Sequence, residues 1–196
     1  VPYGKHWIDD KDINEVVKVL KSGNITQGPT VEAFQTTLNH YCNVKHSIAV
    51  NSGTSALHIA CLACGLQPGD EIITTPITFV ASVNCACFCG ATPVFADIDP
   101  KTYNISVAEI EKKITPNTKV VIPVHFAGQS CDMEEIFILS KKYGFKIIED
   151  AAHAIGGYYK DYPIGSCRFS DITVLSFHPV KIITTGEGGA ALTNNN

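Results

Sequence analysis

Two runs in this sequence carry residues that can do chemistry: Glu149-Asp-Ala-Ala-His153 and Ser176-Phe-His-Pro-Val-Lys181-Ile-Ile-Thr-Thr-Gly-Glu-Gly-Gly189. In the second, one lysine stands among hydroxyls and glycines. In the first, a carboxylate closes the apolar stretch that starts at Lys146. A lysine amine condenses with an aldehyde to a Schiff base, and a carboxylate can hold a protonated ring nitrogen. Pyridoxal phosphate chemistry needs that division of labour, which makes Lys181 and Asp150 the candidate catalytic residues and pyridoxal 5'-phosphate the candidate cofactor. Once a substrate amine displaces it, Lys181 is free to act as the base that moves protons.

The remaining candidates stand at the ends of apolar segments. Gly53-Thr54-Ser55 separates a strand pattern from a helix pattern, where unpaired amides and the two hydroxyls suit a phosphate dianion. An ordinary helix cap is the competing reading. Phe79, after Pro76-Ile-Thr78, can stack on a planar heterocycle or fill the core. Asp150 is costly to bury without a partner, and a pyridinium N–H is such a partner; Glu149 competes for the role. His153 can hydrogen-bond the cofactor ring or its phenolic oxygen, or serve as a buried structural histidine. Ser176 lies close enough to Lys181 in sequence to reach the same phosphate. Thr184, Thr185, Gly186, Gly188 and Gly189 suit close backbone approach to a ligand.

These residues need a scaffold that gathers strand ends, and the hydrophobic pattern supplies one. From Ile8 to Leu20, apolar Ile13, Val16, Val17 and Leu20 recur at helical spacing, with acidic residues in the first turn. Gly23 and Gly28-Pro29 break this helix, and Thr30 is placed to cap a second one with Phe34 and Leu38 inward. Residues 1–30 therefore read as an N-terminal helix and arm, and 31–196 as one large domain. Strands are expected at 47–50, 70–75, 92–97, 118–125, 146–150, 172–176 and 189–193, and helices at 56–64, 78–89, 107–114 and 133–143. Continuous apolar strands alternating with helices predict an α/β fold, a mainly parallel sheet with helices on both faces. Ligands of such sheets bind beyond the carboxyl ends of the strands, where the candidates fall. The sequence stops at Asn194-Asn-Asn196 directly after a strand, which predicts a further C-terminal small domain outside this chain.

With 196 residues, 45% hydrophobic, 17% charged and a net charge of -4, the chain can bury a single-domain core and offers no basic block to track nucleic acid. It has no apolar run long enough for a membrane span and no signal-peptide core at Val1-Pro-Tyr-Gly-Lys-His6. A cytoplasmic protein without a membrane partner is expected. Eight cysteines, Cys42, Cys61, Cys64, Cys85, Cys87, Cys89, Cys131 and Cys167, lie mostly in apolar segments. They are expected to pack as small hydrophobes. Cys61 and Cys64 are spaced as a zinc pair can be, but no second paired CxxC accompanies them, and no metal is expected.

Taken together, these motifs resemble the large domain of the DegT/DnrJ family of nucleotide-sugar aminotransferases. The resemblance covers almost the whole length, starting at Gly23-Asn-Ile-Thr-Gln-Gly28, and implies an aspartate-aminotransferase type of fold. It implies that Gly53, Thr54 and Ser55 form the phosphate turn, that Phe79 stacks on the ring and that Asp150 pairs with the pyridine nitrogen. Ser176 would then bind phosphate and Lys181 form the Schiff base. Many relatives have glutamine where this chain has His153. The branch with histidine there resembles the aminotransferases of pseudaminic acid biosynthesis. A few members that replace the lysine with histidine are dehydratases, and the intact Lys181 disfavours that reading. The resemblance further implies glutamate as amino donor and a homodimer with a shared active site. The implied acceptor is a UDP-linked 4-keto-6-deoxy-N-acetylhexosamine, with dTDP-4-keto-6-deoxyhexoses or 3-keto sugars as alternatives. A non-catalytic sensor of the same fold is a further alternative, against which the retained charges of Asp150 and Lys181 argue.

Overall fold

The structure, a computed structural model, describes residues 5–196; Val1 to Gly4, the start of the expected arm, lie outside the described residues. Helix α1 spans Asp10–Lys21. Asp9 caps it, accepting from the Lys11 and Asp12 amides while the Asp12 side chain accepts from the Asp9 amide. No residue of α1 is buried, so its apolar stripe of Ile13, Val16, Val17 and Leu20 faces outward. Helix α2 spans Pro29–Cys42. Thr30 is not its cap: Gly28 holds that place and Pro29 opens the helix, because proline's fixed φ suits a first helical residue. The expected domain boundary at residue 30 thus falls inside α2.

The remaining order is β1 (His46–Val50), α3 (Gly53–Ala63), β2 (Glu71–Thr74), α4 (Ala81–Phe88), β3 (Thr92–Phe95), α5 (Val107–Lys113), β4 (Thr118–Ile122), α6 (Met133–Tyr143), β5 (Lys146–Asp150), β6 (Tyr158–Tyr159), β7 (Tyr162–Pro163), β8 (Ile172–Ser176) and β9 (Gly189–Thr193). Seven strands form one sheet in the order β1-β9-β8-β5-β4-β2-β3. Strand β9 runs antiparallel to both neighbours, and the other pairings are parallel. The mainly parallel α/β sheet expected from the sequence is therefore present. Strands β6 and β7 form a separate small hairpin that the sequence pattern did not announce.

Alternation along the strands divides the core. Ile72, Val120, Ile122, Ile148 and Val174 pack with Leu57, Ala60 and Cys61 of α3 and Cys85 and Ala86 of α4. Ile73, Val121 and Ile147 meet Ile110 of α5 and Met133, Ile136 and Leu139 of α6. Leu175, Ala190 and Leu192 meet Leu38 and Cys42 of α2. Both sheet faces are covered, which is why these strands read as unbroken apolar runs. Six of the cysteines are buried; Cys64 is half-buried and Cys87 exposed, and all eight are free thiols.

Two boundaries move in ways that matter for the site. The expected strand 118–125 ends at Ile122, after which Pro123 and His125 exchange main-chain hydrogen bonds with Asp150. Helix α3 begins at Gly53 rather than Ala56, capped by the Ser52 hydroxyl, which accepts from the Ser55 amide at 3.1 Å.

Candidate active site

The carboxyl ends of β1, β2, β4, β5 and β8 open on one cavity of about 430 Å³. Of the sequence candidates, Gly53, Thr54, Phe79, Asp150, His153, Ser176 and Lys181 line it. Ser55 does not. Its hydroxyl donates to Asn51 Oδ1 at 2.7 Å and lies 3.0 Å from Ser52 Oγ, inside the cap of α3. Ser52 takes a place on the cavity wall instead.

One end of the cavity has donors suited to an anion. The Ser55 and Ala56 amides are used within the helix start, whereas the Gly53 and Thr54 amides have no acceptor among the described residues. Ser176, at the end of β8, faces them. A Cβ on Gly53 would come within 2.9 Å of Ser176 Cβ and 3.2 Å of its Oγ. Glycine therefore allows helix start, strand end and hydroxyl to converge. Gly189 serves a different purpose from the one expected: its missing Cβ would sit 2.3 Å from the Ser52 carbonyl oxygen. The close approach there is of backbone to backbone, seating β9 against the entry to α3.

At the other end lies Asp150, buried, with Oδ2 accepting from Ser82 Oγ at 2.6 Å and Oδ1 from the Ala152 amide at 3.2 Å. The competition between Glu149 and Asp150 is decided by the pleat, which sends successive side chains to opposite faces. Asp150 lines the cavity, and Glu149 is buried behind it against His125, Ser170 and Thr173. Burial works to raise the Glu149 carboxyl, but its donors, His125 foremost, hold it below the usual carboxylate range.

Lys181 Nζ is 2.8 Å from His153 Nε2. Burial pushes the Lys181 amine below the ordinary lysine range, and the Asp150 charge opposes this only in part. His153 is pushed down as well, by burial first and then by the Lys181 charge. The two groups are close enough to share one hydrogen bond, and burial biases each toward its neutral form. Phe79 is 70% exposed, which excludes the core reading and leaves its ring at the cavity rim. Sequence reasoning did not find Ser82, Phe126 or Val174. No short-range signal ties Ser82 to Asp150, 68 residues away.

The residues fit pyridoxal 5'-phosphate by their chemistry. A dianion cradle, apolar walls from Val124, Ala152 and Val174, a buried carboxylate and a lysine of lowered basicity share one space. Among the described residues, no cluster suited to a metal ion occurs, and no helix is long and apolar enough to cross a membrane.

Comparison with known proteins identifies the family and the fold. Residues 6–196 match the model of the DegT/DnrJ/EryC1/StrS aminotransferase family. The spore coat polysaccharide biosynthesis protein SpsC of Bacillus subtilis is 45% identical over 195 residues, covering 100% of this chain and 50% of SpsC. A putative sugar aminotransferase of Streptococcus pneumoniae, solved in its PLP-form, superposes with a TM-score of 0.95 at 37% identity, over 100% of this chain and 53% of that one. Helicobacter pylori PseC, an aminotransferase involved in the biosynthesis of pseudoaminic acid, superposes with a TM-score of 0.92 at 38% identity, over 100% of this chain and 52% of that one. The chain spans about half the length of the relatives it matches. It belongs to the DegT/DnrJ/EryC1/StrS aminotransferase family.

Proposed function

We propose that this member of the DegT/DnrJ/EryC1/StrS family is the cofactor-holding part of a pyridoxal-phosphate-dependent nucleotide-sugar aminotransferase. The observation that carries the reading is convergence: Lys181, Asp150 and a set of anion donors face one cavity from a loop, a strand end and a helix start separated in sequence. When bound, the cofactor supplies an electrophilic aldehyde and an electron-poor ring. Everything else is the work of the chain. The Gly53 and Thr54 amides and the Ser176 hydroxyl would hold the phosphate, with the positive end of α3 behind them. Asp150, aimed by Ser82, would keep a proton on the ring nitrogen. Lys181 is neutral more often than a surface lysine and so is a ready nucleophile. His153 Nε2, 2.8 Å away, would hold the amine at the cavity wall through a shared hydrogen bond. The Lys181 amine would also serve as the base that carries a proton between neighbouring atoms of the substrate.

For the whole enzyme, the donor we infer is glutamate and the acceptor the 4-keto group of a UDP-linked 4-keto-6-deoxy-N-acetylhexosamine, as in pseudaminic acid biosynthesis. His153 in place of glutamine and the likeness to the Helicobacter pylori enzyme support this choice. A homodimer with a shared site completes the proposal. Phe79 and Val180 line the cavity and are exposed, their sequence neighbours Val80, Ile182 and Ile183 are exposed as well, and apolar surface of that kind suits cover by a second subunit.

The test uses full-length protein. Borohydride reduction should fix the cofactor's mass on Lys181, and glutamate alone should release 2-oxoglutarate. An adduct on another lysine would overturn the assignment. A panel of nucleotide keto sugars then decides the acceptor: exclusive turnover of a dTDP-linked sugar would sink the UDP reading and leave the aminotransferase one standing.

A further inference from the structure

We propose that Glu149 and His125, on the sheet face opposite the cavity, are positioning residues that fix the direction of the Asp150 carboxylate. The proposal rests on the reading of Asp150 as the partner of the cofactor's ring nitrogen. Glu149 and Asp150 are consecutive at the end of β5, so a backbone turn that moves one side chain moves the other. Glu149 is 6% exposed and His125 0%. The Glu149 carboxylate accepts from His125 Nε2 at 2.9 Å, from Thr173 Oγ1 at 2.9 Å and from Ser170 Oγ. His125 Nδ1 accepts the Cys131 amide at 3.1 Å, which leaves the ring proton on Nε2, aimed at Glu149.

The main chain closes the arrangement. The His125 amide donates to the Asp150 carbonyl at 3.1 Å, and the Asp150 amide donates to the Pro123 carbonyl at 2.9 Å. The peptide unit of Asp150 is therefore held at its amide, at its carbonyl and, through the neighbouring side chain, from behind. Ser82 and the Ala152 amide hold the carboxylate from the cavity side. Val124 and Phe126, on either side of His125, both line the cavity. An apolar pair of similar volume would fill the space behind β5 without desolvating a charge. What the polar pair adds is direction, since its hydrogen bonds are satisfied in one orientation of the β4 and β5 ends.

The experiment is a double-mutant cycle in full-length protein, titrated with pyridoxal 5'-phosphate and read by the affinity and the pH response of the cofactor's absorbance band. Glu149→Gln keeps the volume but loses the charge and one acceptor. It should weaken cofactor binding about tenfold and move the pH at which the band changes, and it should add nothing when Asp150 is already Asn. Additive losses, or unchanged affinity in E149Q, would overturn the proposal. Parent affinity and an unchanged band in D150N would instead remove the Asp150 reading on which it stands. If E149Q does not fold, Thr173→Val removes one donor to Glu149 and serves the same cycle with a smaller expected loss.

Discussion

Gly53→Ala adds one methyl group where the structure has no room for it. The backbone itself accepts alanine, since Gly53 is the first residue of α3 and has no positive φ. Alanine should even favour the helix by up to about 1 kcal/mol. The added Cβ, however, would sit 2.9 Å from Ser176 Cβ, against an ordinary carbon–carbon contact of about 3.5 Å or more. Ser176 ends a strand flanked by β5 and β9 and has little freedom to move, so the start of α3 must withdraw by roughly half an ångström. Overpacking of this kind costs about 1–3 kcal/mol, leaving a net stability loss of about 0–2 kcal/mol after the full helix gain. The same withdrawal pulls the Gly53 and Thr54 amides away from Ser176. Loss of one charge-assisted hydrogen bond, about 1.5–3 kcal/mol, corresponds to roughly tenfold to hundredfold weaker binding of a phosphate-bearing cofactor. Titration with pyridoxal 5'-phosphate and with phosphate-free pyridoxal separates the effects: the first should weaken and the second should not. Equal losses for both, or none for either, would refute the assignment of this turn as the phosphate cradle.

Asp150→Asn keeps the shape and removes the counter-charge, and should slow the glutamate half-reaction on the order of a hundredfold; a parent rate at full cofactor occupancy would make the carboxylate structural. The same change removes the charge that partly supports protonated Lys181. The pH midpoint for cofactor capture should therefore fall, and a rise would contradict the electrostatics. Glu149 titrates below its ordinary value of 4.5. The stability it contributes is present above that value and is lost as pH drops through the lowered one. Denaturant titrations between about pH 5 and 3 should show a shallower acid loss in Glu149→Gln than in the parent, and identical slopes would contradict this. Finally, release of 2-oxoglutarate from glutamate should require a dimer, and a monomeric full-length protein working at the normal rate would break the argument from the exposed rim.

The scaffold and the cofactor class were legible in the residue pattern. Unbroken apolar strands such as Ile147-Ile148 could only be buried on both faces, and glycines such as Gly65, Gly90 and Gly144 closed the helices near where the structure ends them. Lys181 and Asp150 stood out as candidates, the first as a lone lysine among hydroxyls and glycines and the second as a carboxylate costly to bury at the end of an apolar strand, and both line the cavity. The remaining features depended on folding. Glu149 and Asp150 look alike in sequence, and only the pleat and the covering helices set one against His125 and the other against the cavity. Ser52 and Ser55 likewise look alike in sequence, and only folding turns the Ser55 hydroxyl to Asn51 while leaving Ser52, the cap of α3, on the cavity wall. Ser82 reaches Asp150 from a helix on a distant stretch of chain. Local pattern reports what each segment must bury, whereas the direction of a side chain at a strand end depends on hydrogen-bond partners that only folding brings within reach.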